Sequence, residues 1–266
     1  MAERAQANFF LPAWTLCQRE LVRFYRQRSR MIGVIGSPLV FWFFIGSGLG
    51  NSFRHVDQTP SVSYLEYFFP GTMILIILFT SIFSSISIIE DKKEGFMQSV
   101  IVAPVPRISI ALGKIMGGTL LSLLQAVIIL ILAPFIGIHM TPASFGIVLA
   151  ALFLVAFELT GLGFMIAWML DSTQGFHAIM NLFLIPLWLL SGALFPVSGA
   201  AGWLQRVMSM NPLSYGVEAV REALYLGSNG GTQELGSLEM CLSVTAGFAV
   251  LSLVASAFIV ARPSRA

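Results

Sequence analysis

Charge is what this chain has least of. Asp, Glu, Lys and Arg make up 11% of its residues, against about a quarter in soluble domains. With 56% hydrophobic residues and a mean hydropathy of +0.84, that scarcity excludes a soluble globular domain. Two cysteines, Cys17 and Cys241, fall on opposite sides of the topology derived below, so they cannot pair within one chain. The three histidines, His55, His139 and His177, are scattered without ligand spacing, which argues against a metal centre. A phosphate-cradling loop needs a glycine, four residues, then Gly-Lys-Ser/Thr. The chain's Gly113-Lys114 has Ile108 where the first glycine belongs and Ile115 where the hydroxyl belongs. No nucleotide or other cofactor is therefore expected on this chain. With no Ser–His pair, paired aspartates or His-x-x-His set in the apolar runs, an intramembrane enzyme is disfavoured.

What is there is length of apolar chain. About 20 apolar residues span a bilayer core as a helix, and six stretches qualify: 31–50, 69–89, 108–135, 145–170, 176–195 and 241–261. Little chain is left over, so the expectation is an all-α membrane protein: an N-terminal segment, 1–30, and a six-span domain, 31–266. The first 30 residues hold no apolar core with a small-residue cleavage site, so no signal peptide is expected. Twelve of the fifteen Lys and Arg lie on one side of these spans. They are Arg4, Arg19, Arg23, Arg26, Arg28 and Arg30 before the first, Lys92, Lys93, Arg107 and Lys114 after the second, and Arg262 and Arg265 in the tail. Arg54, Arg206 and Arg221 fall on the other side. Basic residues accumulate in cytoplasmic loops, so both termini are expected in the cytoplasm of a cell (inner or plasma) membrane protein.

Within the first segment, Trp14, Cys17, Leu21 and Phe24 recur at spacings of three and four, with Arg19, Arg23, Arg26 and Arg30 on another face. That pattern predicts an amphipathic helix in the headgroup layer, Trp14 anchoring it; the plainer alternative is a basic arm that only sets topology. Between the second and third runs comes the most polar interruption, Glu90-Asp91-Lys92-Lys93-Glu94-Gly95, then Phe96, Met97 and Val100 as an apolar strip, and Pro104-Val105-Pro106-Arg107. The prolines stop a short helix and stiffen the return to the third span. The residues alone fit two readings equally, a solvated loop or a docking helix.

The outer segment, 196–236, is too apolar for a free loop. Trp203, Leu204, Val207 and Met208 predict a short helix at the interface or dipping into the membrane. Asn211-Pro212 predicts a break and a capped helix over 213–226, on which Glu218 pairs at helical spacing with Arg221. These are either local caps and ion pairs of a re-entrant hairpin or substrate contacts. Glu158 is the acidic side chain nearest the middle of a span. An ionised carboxylate there costs about 3 kcal/mol on insertion scales, so it must face protein or water, with Gln125 and Asn181 as candidate partners. It is either a polar point on a translocation path or dimer seam, or a packing lock. Gly117, Gly118, Gly161 and Gly163 allow close helix approach.

Residues 90–114 resemble the cytoplasmic loop of type-2 ABC exporter permeases. There, acidic and basic residues lead into a glycine, a short helix, a proline turn, an arginine and a Gly-Lys. In this chain those are Glu90, Glu94, Gly95, Pro104, Arg107, Gly113 and Lys114. Phe96 and Gln98 depart, where threonine and glutamate are usual. Asn211-Pro212-Leu213-Ser214-Tyr215 with Val217, Glu218 and Arg221 is a closer match, and Pro70-Gly71 and Ser191–Pro196 add to it. The resemblance covers nearly the whole chain. It implies a permease that works as a homodimer, or beside a similar second permease, in the lipid bilayer. Two copies of a separate ABC ATPase would carry ATP and Mg, docked on the N-terminal helix and the 90–107 loop. The implied cargo is a drug, lipid or lipid-linked glycan, with no nucleic-acid partner. A proton- or ion-coupled secondary transporter using Glu158 is the competing class, though no internal repeat supports it.

Overall fold

The computed structural model describes residues 9–49, 63–226 and 233–261, with nothing said of the side chains of 28–31 and 49. Arg4, Gly50, Arg54, His55, Arg262 and Arg265 of the sequence reading lie outside the described residues, as do 227–232 of the outer segment. Every described element is a helix.

Helix α1 (Phe10–Arg26) buries Ala13, Leu16, Cys17, Glu20 and Phe24, a stripe at spacings of three and four, chiefly against α5 (Arg107–Leu130). Trp14 points away from that stripe and is 55% exposed, so it is not part of the buried face with Cys17 and Phe24. Gly113 admits this packing: a Cβ there would sit 2.5 Å from the Ala13 carbonyl oxygen and 2.9 Å from Leu16 Cβ. After Gln27, α2 (Arg28–Leu49) continues with Pro38 inside it.

Helix α3 (Tyr64–Lys93) starts on a reciprocal cap. The Ser63 hydroxyl accepts from the Glu66 amide, and the Glu66 carboxylate accepts from the Ser63 hydroxyl. Thirty residues make it about 45 Å long, and it is buried on nearly every face, as a helix apolar all round must be. Around it stand α5, α6 (Pro142–Met169) and α7 (Thr173–Leu189), with α10 (Leu238–Ala261) outside α6. Thr141 and Ser172 cap α6 and α7, each accepting from the amide three residues on.

The helix interfaces at mid-bundle use small hydroxyls rather than bulk. Ser81 meets Thr160 at 3.1 Å, and the Thr80 hydroxyl donates to Gln125 Oε1 at 2.7 Å. Small hydroxyl residues let backbones approach and satisfy one another where lipid offers no hydrogen bonds.

Among the described residues, four helices are long and apolar enough to cross a membrane: α3, α5, α6 and α10. The apolar part of α2, Ile32–Gly48, is shorter, and α7 stops at 17 residues. The expected fifth run, 176–195, ends early because the chain turns at Gly192, whose φ is 76°. Next come two short helices, α8 (Gly202–Met210) and α9 (Pro212–Leu224). The first is largely exposed, while α9 is buried against α6 and α10. On α10, Val250, Leu251, Val254 and Phe258 are exposed apolar side chains, the surface expected to face lipid.

Candidate coupling site

At the foot of α3 the chain reverses through Gly95, whose φ of 77° belongs to the left-handed region where a side chain is strained. Helix α4 (Phe96–Val102) begins there and ends at extended Ala103, before Pro104. One side of α4 is pinned. Met97 is buried, Phe96 and Val100 pack against the core, and the Arg19 guanidinium lies 3.7 Å from the centre of the Phe96 ring, a cation–π contact. The other side is open: Val102 is 86% exposed, with Ile101 and Pro104 beside it.

Behind α4 sits a cluster of six charges from α1, α3 and α5. The Asp91 carboxylate is fully buried and takes Arg19 through both oxygens at 2.7 and 2.8 Å, Arg23 at 2.8 Å, and the Lys114 ammonium. Arg23 also donates to Glu90 at 2.6 Å. Lys114 reaches Glu20 at 2.5 Å, and the second Glu20 oxygen accepts from Ser87 at 2.7 Å. Three cations thus meet three carboxylates. Each buried charge costs several kcal/mol to desolvate, and only a saturated set offsets that; here every carboxylate in the set has at least one charge-assisted bond.

This arrangement corrects the sequence reading of α1. Arg19 and Arg23 were expected to face headgroups; instead they turn onto the end of α3, because Asp91 is sealed from water and needs their charge. The sequence reading missed Glu20 and Asp91, and saw Lys114 only as part of a motif. One signal was available: Glu20 sits on the apolar stripe of α1, where a charge requires a partner.

The other residues expected to contact an ATPase divide. Lys92 points back into the protein, donating to the carbonyls of Trp168 and Leu170 at 3.0 and 2.9 Å and pairing with Asp171 at 2.8 Å. It caps the C-terminal end of α6, and it holds the exposed Asp171 carboxyl below its ordinary value. Arg107 likewise turns inward, to the carbonyls of Val260 and Ala261 at the end of α10. Lys93 and Glu94 are exposed. A cavity of 490 Å³ flanks α4 on the α6 side, lined by Lys92, Lys93, Met97, Gln98, Trp168 and Asp171 among others. On the other side, a cleft of 610 Å³ runs along α1 from Thr15 to Gln27 and reaches Glu94.

Glu158 is buried in α6, and neither of its oxygens has a partner among the described residues. The partners expected for it are elsewhere. Gln125 bonds Thr80, and Asn181 is exposed on α7. Glu158 lines none of the cavities described here.

The outer motif behaves as its spacing predicts. Asn211 Oδ1 accepts from the Leu213 amide at 3.0 Å, while its Nδ2 donates to the carbonyls of Leu187 and Leu190 at 2.6 and 3.1 Å. Pro212 occupies the first turn of α9, and the Tyr215 hydroxyl donates back to Ser209 at 2.9 Å. Arg221 pairs with Glu218 at 2.9 Å, donates to the Gly192 carbonyl at 2.7 Å and lies over the Tyr67 ring. Glu218 also accepts from the Glu234 amide at 3.0 Å. These groups tie α9 to the chain on either side of it. Their bonding is that of a structural clamp.

Among the described residues no group of three His, Cys, Asp or Glu is placed to hold a metal. What stands at this end is an exposed apolar tip, a charge cluster behind it, and ties from the flanking helices to α6 and α10.

Known proteins match this picture. Residues 13–225 fit the family model described as ABC-2 type transporter. The putative transport permease ycf38 of Cyanophora paradoxa is 27% identical over 80% of this chain and 74% of its own length. Nodulation protein J of Sinorhizobium fredii is 25% identical, over 76% and 77%. The daunorubicin resistance ABC transporter permease protein DrrB1 of Streptomyces coeruleorubidus is 22% identical, over 91% and 83%. With its apolar helices and most of its length inside the family model, this chain belongs to the ABC-2 type transporter family of membrane permeases.

Proposed function

We propose that this chain is the six-span permease subunit of an exporter for amphiphilic cargo, driven by a separate ATPase that docks on α4. The carrying observation is the α4 tip: Ile101, Val102 and Pro104 stand exposed on a helix whose back is fixed by the Phe96–Arg19 contact and the charge cluster. An apolar tip on a rigid mount suits a partner that pushes on it. In this reading α2, α3, α5, α6, α7 and α10 make the six crossings, and both termini and α4 lie in the cytoplasm. Helices α8 and α9 form the outer re-entrant hairpin, and α1 lies at the inner headgroup layer.

Two permease copies and two ATPases, which carry ATP and Mg, would complete the machine. ATP-driven closure of the ATPases would move α4, and Lys92 and Arg107 would pass the motion to α6 and α10. The name of the daunorubicin resistance permease supports an amphiphilic cargo, and the apolar build of the bundle is compatible with one. Burial of Glu158 away from the described cavities favours its role in packing over one on the path, and weighs against the proton-coupled alternative.

The test is transport in vesicles holding the full chain and its co-purified ATPase, with a fluorescent short-chain phospholipid as cargo. The proposal expects movement that needs ATP, resists a protonophore and is lost in Val102→Asp. Movement that ignores ATP and collapses with a protonophore would favour the secondary transporter.

A further inference from the structure

A second cavity, of 370 Å³, opens between α1, α2 and α5, and it is walled almost wholly by carbon: Leu21, Phe24, Ile35, Leu121, Leu124 and Ile128. Two polar side chains in its lining are conspicuous. Gln125 is 1% exposed, its Oε1 is taken by Thr80, and its Nε2 has no partner among the described residues. Arg26 is exposed and, unlike Arg19 and Arg23, makes no ion pair among the described residues. Arg26 and Val22 also line the polar cleft of 610 Å³ along α1. An uncommitted cation therefore lines both the apolar groove and the polar cleft beside it.

The shape limits the occupant. From Leu121 to Ile128 α5 rises about 10 Å, most of the roughly 15 Å depth of one leaflet's hydrocarbon. That is room for an acyl chain. Gln125 is sealed behind the groove wall, so the groove itself offers an occupant hydrocarbon contacts alone. Arg26 at the mouth calls for an anion, and the cytoplasmic leaflet presents anionic phosphates to basic residues at its surface.

We infer that the α1–α2–α5 groove binds an anionic phospholipid of the cytoplasmic leaflet, with one acyl chain along α5 and the phosphate on Arg26. The lipid fills the gap between α1 and the first span, and so stabilises the placement of α1, which carries Arg19 and Arg23 of the coupling site. The inference rests on the membrane orientation proposed above but not on the ATPase.

The test is native mass spectrometry of the full chain in detergent, titrated with phosphatidylglycerol and with phosphatidylcholine of the same chains. Phosphatidylglycerol is expected to bind about five-fold more tightly, the ratio one interfacial cation supplies. Arg26→Gln levels the two lipids while leaving phosphatidylcholine binding in place. Leu124→Trp, which fills the groove, weakens both, and Arg206→Gln on exposed α8 changes neither. Equal binding of the two lipids, a preference that survives Arg26→Gln, or a groove indifferent to Leu124→Trp because a second copy covers it would each overturn the inference. Because no ATPase enters the measurement, failure to find that partner leaves this result standing, and the reverse holds too.

Discussion

At the α4 end of the bundle, six charged side chains from three helices share one buried cluster. At the α9 end, a single Glu218–Arg221 pair on one helix combines with backbone groups of the flanking chain. The outer set holds short α9 in place, while the inner set binds three helices behind α4 and meets α4 through the Arg19–Phe96 contact. The outer set draws its two charges from one helix, although Arg221 also reaches the Tyr67 ring of α3. The inner one joins α1, α3 and α5 through opposite charges distant in sequence. Under the proposed function, the inner kind suits an element that passes on motion and the outer kind one that stays put.

Breaking the inner cluster should have the largest effect. Lys114→Met leaves the Glu20 carboxylate on a buried face with the Ser87 hydroxyl and a longer Arg19 pair at 3.8 Å, and is expected to cost about 3–5 kcal/mol, read by thermal unfolding of the purified chain. Asp91 keeps two arginines in that variant, so adding Glu20→Gln should recover more than half of the loss; no recovery would mean the cluster is not organised as described. Arg221→Met at the outer end should cost less, about 2–3 kcal/mol, because Glu218 retains the Glu234 amide. A larger loss there than for Lys114→Met would reverse the comparison.

The Lys92–Asp171 tie is the weakest expectation, since Asp171 is exposed and water screens the pair. Asp171 titrates below its ordinary value because Lys92 favours its charged form. Its contribution is therefore complete above the unfolded carboxylate range and is lost as pH falls through the lower folded value. Asp171→Asn should remove that acid-limb dependence with little change near neutral pH. Lys92→Asp, which aims a carboxylate at the Trp168 and Leu170 carbonyls, should be worse than Asp171→Asn. Equal effects would reduce Lys92 to a surface ion pair.

The same contrast explains what the sequence made legible. Hydropathy located the long helices, and the cap at Asn211 and Pro212, the Gly95–Pro104 helix and the Glu218–Arg221 pair all follow from spacings of a few residues. Partners distant in the chain did not follow. Nothing local tells Lys114 that Glu20 and Asp91 will close on it, or Arg107 that it will cap α10. Helix phase was also unreadable in α7, where apolar residues surround Asn181 on every side, so its exposure emerged only from the fold. Lys92 of the charged stretch and Arg107 of the motif serve as internal ties, because each reaches the free carbonyls at the end of a neighbouring long helix.

The central claim is that α4 is the handle of an external motor. Its most direct test is purification of the tagged full chain from native membranes, with nucleotide turnover measured in wild type, Val102→Asp and Arg206→Gln. The account predicts a co-purifying ATPase in wild type and Arg206→Gln that is lost in Val102→Asp while the chain itself stays folded. A wild-type chain that purifies without any associated ATP turnover, or an ATPase that stays bound when the α4 tip carries a charge, would contradict it.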